Sequence, residues 1–164
     1  MLKYLASAAA IGALIAPAAA GNFLVSPRFE AVYANIDFDD GGAQVDALGG
    51  RFGLDIAKFF GVEAEVFTGI SDPDGLELDY KAGVFGVARY PIVPTFSLYG
   101  RAGLVQAEYS IGSVSVEETG YSVGAGVRLN VPATPFAARA GYDRTDYGDG
   151  AEANELSLAV IVKF

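Results

Sequence analysis

The sequence predicts an all-β fold: eight antiparallel strands in up-and-down order, closed into a transmembrane barrel. Three observations predict it. Large apolar residues recur at every second position through most of the chain, the mark of a strand with two unlike faces. The interleaved positions carry charges and many of the 21 glycines. Turn signals separate the runs at short spacing, with no helical periodicity between them. At 164 residues the chain is long enough for one ordinary domain and too short for two comfortable ones.

The first twenty residues, MLKYLASAAAIGALIAPAAA, are a different object. Lys3 gives a positive start, an apolar stretch follows, and Ala18 and Ala20 supply an A-x-A cleavage site. A membrane-spanning helix needs about 20 strongly apolar residues, and this run is shorter and rich in alanine. Residues 1–20 are therefore expected to be a secretory signal peptide and residues 21–164 the mature barrel.

Strands are expected at 28–37, 45–56, 62–70, 77–90, 95–107, 120–129, 136–147 and 155–164. The first is irregular: Arg28 and Glu30 share one parity, Asn35 and Asp37 the other, which suggests a bulge or an early exit from the membrane. The second sets Leu48, Phe52, Leu54 and Ile56 against Arg51 and Asp55, and the third sets Val62 and Val66 against Glu63 and Glu65. In the fourth, Leu78, Tyr80, Val84 and Tyr90 oppose Asp79, Lys81 and Arg89. The fifth opposes Phe96, Leu98 and Leu104 to Arg101, and the sixth Tyr121, Val123, Val127 and Leu129 to Arg128. The seventh opposes Phe136 and Tyr142 to Arg139 and Asp143. The eighth runs Leu156, Leu158, Val160, Val162, Phe164 to the last residue, against Lys163.

The charged face is interleaved with glycine (Gly53, Gly83, Gly124, Gly126, Gly141) and carries both signs. Small residues and a few long ions suit a narrow interior better than a water-facing surface. The uncharged face carries aromatics near strand ends: Tyr90, Phe96, Phe136 and Phe164 at one end, Tyr80, Tyr121 and Tyr142 at the other. That is the aromatic girdle of a lipid-facing band. In hydrocarbon an open sheet edge cannot be hydrated, so the last strand must pair with the first. Slipping the sixth strand by one residue would turn Arg128 into lipid, at up to ~2–4 kcal/mol near the midplane.

Connections 57–61, 91–94 and 130–135 are tight or proline-bearing, whereas 37–42, 71–79, 108–118 and 146–155 are acidic. Short turns on the periplasmic side and longer loops outside place the acidic set outward and both termini in the periplasm. A net charge of −9 excludes nucleic acid as a partner, which needs a basic face. The absence of cysteine excludes disulfides and thiolate metal sites.

Taken in order, KFFGVEAEV (58–66), GYSVGAGVRLNV (120–131), AARAGYDRTDYGD (137–149) and SLAVIVKF (157–164) resemble the small eight-stranded outer-membrane β-barrel family. That family includes the transmembrane domain of outer-membrane protein A and the opacity-type surface proteins. The resemblance implies a bacterial outer-membrane location and carboxylate–arginine bridges across the lumen, with Glu63 and Glu65 as acids and Arg101, Arg128 and Arg139 as partners. It implies that Phe164 belongs to the signal read by barrel-assembly machinery. Where the family often has a glutamate before the tyrosine of the seventh strand, this chain has Gly141, followed by Asp143, so a rearranged pairing is expected there.

The lumen network is expected to comprise Arg51, Glu63, Glu65, Lys81, Arg101, Arg128, Arg139 and Asp143, with Arg28, Glu30, Asp55, Asp79, Arg89 and Lys163 also facing inward. An eight-stranded interior is just wide enough for side chains to fill it, so the network should act as a plug. Enzymes of this fold class use histidine as base or proton shuttle, and the chain has none beside Ser97, Ser122 or Ser157. No catalytic residue and no cofactor is expected. SDPDGLELD offers Asp72, Asp74, Glu77 and Asp79 as a weak rim for divalent cations, although a solvated turn explains the same residues.

The function read from the sequence is a monomeric, non-enzymatic envelope barrel in contact with outer-membrane lipid and lipopolysaccharide. Alternatives are an adhesin acting through its outer loops, where Ile111, Val114 and Val116 could extend a hairpin for strand addition, or a narrow pore.

Overall fold

The computed structural model describes residues 25–38, 43–56, 58–71, 76–111, 114–148 and 151–164. The expected leader, with Asp72 and Asp74 of the cation rim, lies outside the described residues. Eight strands follow one another: β1 (Val25–Phe38), β2 (Ala43–Ile56), β3 (Phe60–Gly69), β4 (Leu76–Val93), β5 (Phe96–Ile111), β6 (Val114–Asn130), β7 (Phe136–Tyr147) and β8 (Ala151–Lys163). Each pairs antiparallel with its neighbours, and β8 returns to β1, closing the barrel. The all-β, up-and-down architecture read from period two is the architecture observed.

Closure runs from Arg28↔Lys163 to Phe38↔Ala153, and the Phe164 amide donates to the Pro27 carbonyl at 3.1 Å. Phe164 itself projects outward, 76% exposed. So do Phe60, Val66, Tyr90, Leu104, Val123, Phe136, Leu158 and Val160, which make a continuous uncharged band. Away from the termini the band ends at tyrosines that reach polar partners. Tyr33 donates to Asp46 at 2.7 Å, Tyr121 to Asp146 at 2.7 Å and Tyr142 to Asn154 at 2.5 Å. An apolar ring with a polar tip suits a membrane–water boundary.

Three sequence expectations need correction. Of the two readings offered for the first strand, a bulge or an early exit from the membrane, the bulge is absent: its register with β2 is unbroken from Val25↔Ile56 to Phe38↔Ala43. Val32, Ala34 and Ile36 continue the inward parity of Arg28 and Glu30. Asn35 simply lies outward, donating to Asp46 at 2.9 Å, where the band has ended.

The irregularities sit instead in β4, one between Pro91 and Val93 and the other between Leu78 and Tyr80. Two residues there oppose one, so Leu78 turns inward and is buried, while Asp79 is exposed and accepts from Ser110 at 2.5 Å. Both were expected on the opposite faces.

Residues 108–118 are largely a β5–β6 hairpin, paired from Glu108↔Glu117 to Ile111↔Val114. Their acidic residues read as loop signals, yet the alternation of Val114, Val116 and the serines continues the strand period.

Candidate functional site in the barrel lumen

Inward residues of the strands build two stacked layers. Toward the end opposite the termini, Val32, Ile36, Val45, Phe67, Leu78, Phe85, Val105 and Tyr147 form a buried apolar cluster. Edge-to-face contacts link Phe38 to Tyr109 at 5.0 Å and Tyr109 to Tyr147 at 6.1 Å, so aromatic rings cross the bore.

Below it lies the ion layer. β3 supplies Glu63 and Glu65, two residues apart and hence on one face. β1 supplies Arg28 and Glu30 by the same spacing, β2 Arg51, β4 Lys81, β5 Arg101, β7 Arg139 and Asp143, and β8 Glu155. All ten are buried.

Glu65 accepts from Arg51 at 2.9 Å and from Arg101 at 2.6 Å, with Lys81 at 3.6 Å. Arg101 also grips Asp143 through two parallel bonds of 2.6 and 2.9 Å, the fork geometry guanidinium favours. Arg139 donates to Glu63 at 2.7 Å and to Glu30 at 3.2 Å. Arg51 reaches Glu30 at 3.0 Å, Arg28 bridges Glu30 at 3.0 Å and Glu63, and Lys81 pairs with Glu155. Five bases (Arg28, Arg51, Lys81, Arg101, Arg139) thus meet five acids (Glu30, Glu63, Glu65, Asp143, Glu155), and the layer is neutral.

Aromatic faces pack against the ion layer from both sides, Phe85 from the apolar layer and Tyr99 from the side of the termini. The Arg101 guanidinium lies 4.1 Å from the Phe85 ring centroid, and that of Arg139 lies 3.7 Å from Tyr99. Glycines make the space: a Cβ on Gly124 would strike the Asp143 carboxylate, and one on Gly141 the Tyr99 hydroxyl.

Among the sequence-predicted pairings, Glu63 meets Arg139 and Glu65 meets Arg101, whereas Arg128 reaches neither. Arg128 lies at the mouth beside the termini, 3.5 Å from Asp55, together with Arg89 and Lys163. Asp143 replaces the glutamate absent at Gly141 by turning to Arg101. Sequence reading missed Glu155, although it keeps phase with Ser157, Ala159, Ile161 and Lys163. It also missed the apolar layer, because an inward Phe or Val looks the same in a sequence as an outward one. Glu77 and Asp79 of the expected cation rim are exposed, and the described residues hold no group of three or more ligating side chains suited to a metal ion. Ser97, Ser122 and Ser157 are buried in the barrel interior.

On the outside, Gly50, Ala64 and Ala82 floor a groove of about 780 Å³ walled by Phe29, Phe52, Val66 and Tyr80.

Comparison with known proteins finds a match to the outer membrane protein beta-barrel domain family over residues 6–164. No curated protein sequence gives a significant match. Among solved structures, the chain is similar to Neisserial surface protein A, at 22% identity and a TM-score of 0.63, covering 85% of this chain and 97% of that one. The N-terminal β-barrel domain of Pseudomonas aeruginosa OprF aligns at 18% identity and a TM-score of 0.69, over 85% and 97% of the two chains. Ail, the attachment invasion locus protein of Yersinia pestis, solved with the heparin analogue sucrose octasulfate, aligns at 20% identity and a TM-score of 0.58, again over 85% and 97%.

Proposed function

The chain belongs to the outer-membrane β-barrel family, and from that premise we propose a structural, non-enzymatic role in the bacterial envelope, with a plugged lumen and a surface-facing outer rim. The observation that carries the reading is the division of faces: an uncharged band outside, and ten ions neutralised against one another within. Each of the ten ions in that layer has an opposite charge within bridging distance, and the aromatic layer fills the bore beyond it. No histidine is present to supply a base that titrates near neutral pH.

In this reading residues 1–20 are removed on export and the barrel of 21–164 stands as a monomer, termini in the periplasm. Phe164, at the end of the closing strand, is read by the assembly machinery. Acyl chains of outer-membrane lipid and lipopolysaccharide pack on the band and fill the groove at Gly50, Ala64 and Ala82. The test is migration on gels of protein from an outer-membrane fraction. The unheated sample should run apart from the heated one; identical migration, or recovery with the inner membrane, would overturn the proposal.

A second reading, adhesion, is favoured by one observation. β7 pairs with β6 only from Gly120 onward, so residues 115–119 present an edge with no strand partner among the described residues. Such an edge accepts an added strand. The rim there is acidic (Glu77, Asp79, Glu108, Glu117), which repels a sulfated polyanion of the kind bound in the Ail structure and favours a neutral or basic partner. Deleting 110–117 should abolish surface binding if this reading holds and leave it unchanged if it does not.

A further inference from the structure

The ion layer is neutral, but the mouth beside the termini is not. Three bases converge there, Arg89, Arg128 and Lys163, and Asp55 is the one acidic side chain within bridging distance of any of them among the described residues. Asp55 is already shared: Arg89 holds it at 2.8 and 2.9 Å, Arg28 from the layer above also bonds it, and Arg128 stands off at 3.5 Å. Lys163 donates to Asn130 at 3.0 Å and has no acid within bridging distance among the described residues.

Arg128 is only 4% exposed, and its Nε donates to no protein atom. Directly across the β5–β6 ladder, Ser97 is 3% exposed and its hydroxyl is likewise without a partner. Inner-layer guanidiniums also have nitrogens without hydrogen bonds, on Arg51 and Arg139, but each of those groups bonds a carboxylate at 3.0 Å or less through another nitrogen, whereas the nearest acid to Arg128 stands at 3.5 Å. The register aggravates the excess, for Arg128 lies opposite Arg139 and Lys163 opposite Arg28. Like charges directly across a ladder repel. Confined cations with unused donors and more basic than acidic side chains favour a counter-ion.

We propose that this mouth is a binding site for a phosphate group, held by Arg128, Arg89 and Lys163 with the Ser97 hydroxyl as a further donor. The geometry selects the chemistry: guanidinium forks match phosphate oxygens in pairs, which a single spherical chloride does not offer. Arg89 is 16% and Asp55 14% exposed at the side chain, so the site opens to the medium at its end. The inference goes beyond the envelope role and rests only on the interior of the barrel. Two sources share the chemistry, free phosphate and the headgroup of a phospholipid in the adjoining leaflet.

The experiment uses the mature chain refolded in phosphatidylcholine vesicles, with the heat-modifiable transition followed as inorganic phosphate replaces chloride at constant ionic strength. A saturable rise in the transition midpoint is expected, and Lys163→Gln and Arg89→Gln should each weaken the apparent affinity about tenfold. Both residues lie at the rim, and either variant that migrates as a folded barrel suffices. A second arm adds phosphatidylglycerol to the vesicles. If the phosphate effect vanishes there, the headgroup is the occupant; if it persists, the free ion is. Equal stabilisation by chloride and phosphate, or a titration unchanged in both variants, would overturn the site.

Discussion

Glu65 shows what a single residue does in this interior. It accepts from Arg51 and Arg101 and lies near Lys81, so its charge is shared among three cations. Desolvation makes such an arrangement costly to assemble, and removing one member leaves the others buried without compensation, typically ~3–5 kcal/mol. Glu65→Gln should therefore lose about that much against urea in lipid vesicles. Arg101→Met added to Glu65→Gln should cost less than the two single losses summed, because the layer returns to neutrality even though Asp143 loses its fork. Additive losses in the double variant would show that the two side chains do not interact. The phase of Glu65 and Arg101 was readable from period two alone, since both interleave with apolar positions. Which acid takes which base was not: Arg128 shares the inward face with Arg101, but its place near the end of β6 sets it beside Asp55 instead.

At the scale of elements, the turn between β6 and β7 carries a local conflict. Ala133 adopts φ 59°, a left-handed conformation that costs an L-residue roughly 1–2 kcal/mol. It is held there between Pro132 and Pro135, where Thr134 bonds back to the Val131 carbonyl at 3.0 Å. Ala133→Gly should relieve that strain and, after the entropy glycine brings to the unfolded chain, raise stability by up to about 1 kcal/mol in the same urea assay. A loss of stability would mean that the turn is not left-handed. The NVPATP segment was legible as a tight turn; its handedness was not, because proline fixes its own φ and only restricts its neighbours. Strand ends were misread for a related reason. Acidic residues in 108–118 mark solvent, and solvent reaches a hairpin standing above the membrane as readily as a loop. The β4 bulge left no signal, since Leu78 and Asp79 fit a regular strand in either phase.

Across the whole molecule, the two lumen layers lie in series, and the proposed plug makes a prediction about conduction. A current must pass both the ion layer, where every fixed charge has an opposite within bridging distance, and the aromatic layer, where Phe67, Phe85 and Tyr147 are all but completely buried. An eight-stranded wall leaves no second path. In a planar bilayer the unaltered barrel should then show no regular single-channel steps. Trimming one layer should change little: Phe67→Ala with Phe85→Ala leaves the ion pairs in place, and Glu65→Ala with Arg101→Ala leaves the rings across the bore. Only the four substitutions together should produce steps, provided the barrel still migrates as folded before it is added to the bilayer. Steps from the unaltered protein would make the lumen a pore. Steps after trimming either layer alone would place the whole barrier in that layer, and the remaining one would then be packing without a share in closure.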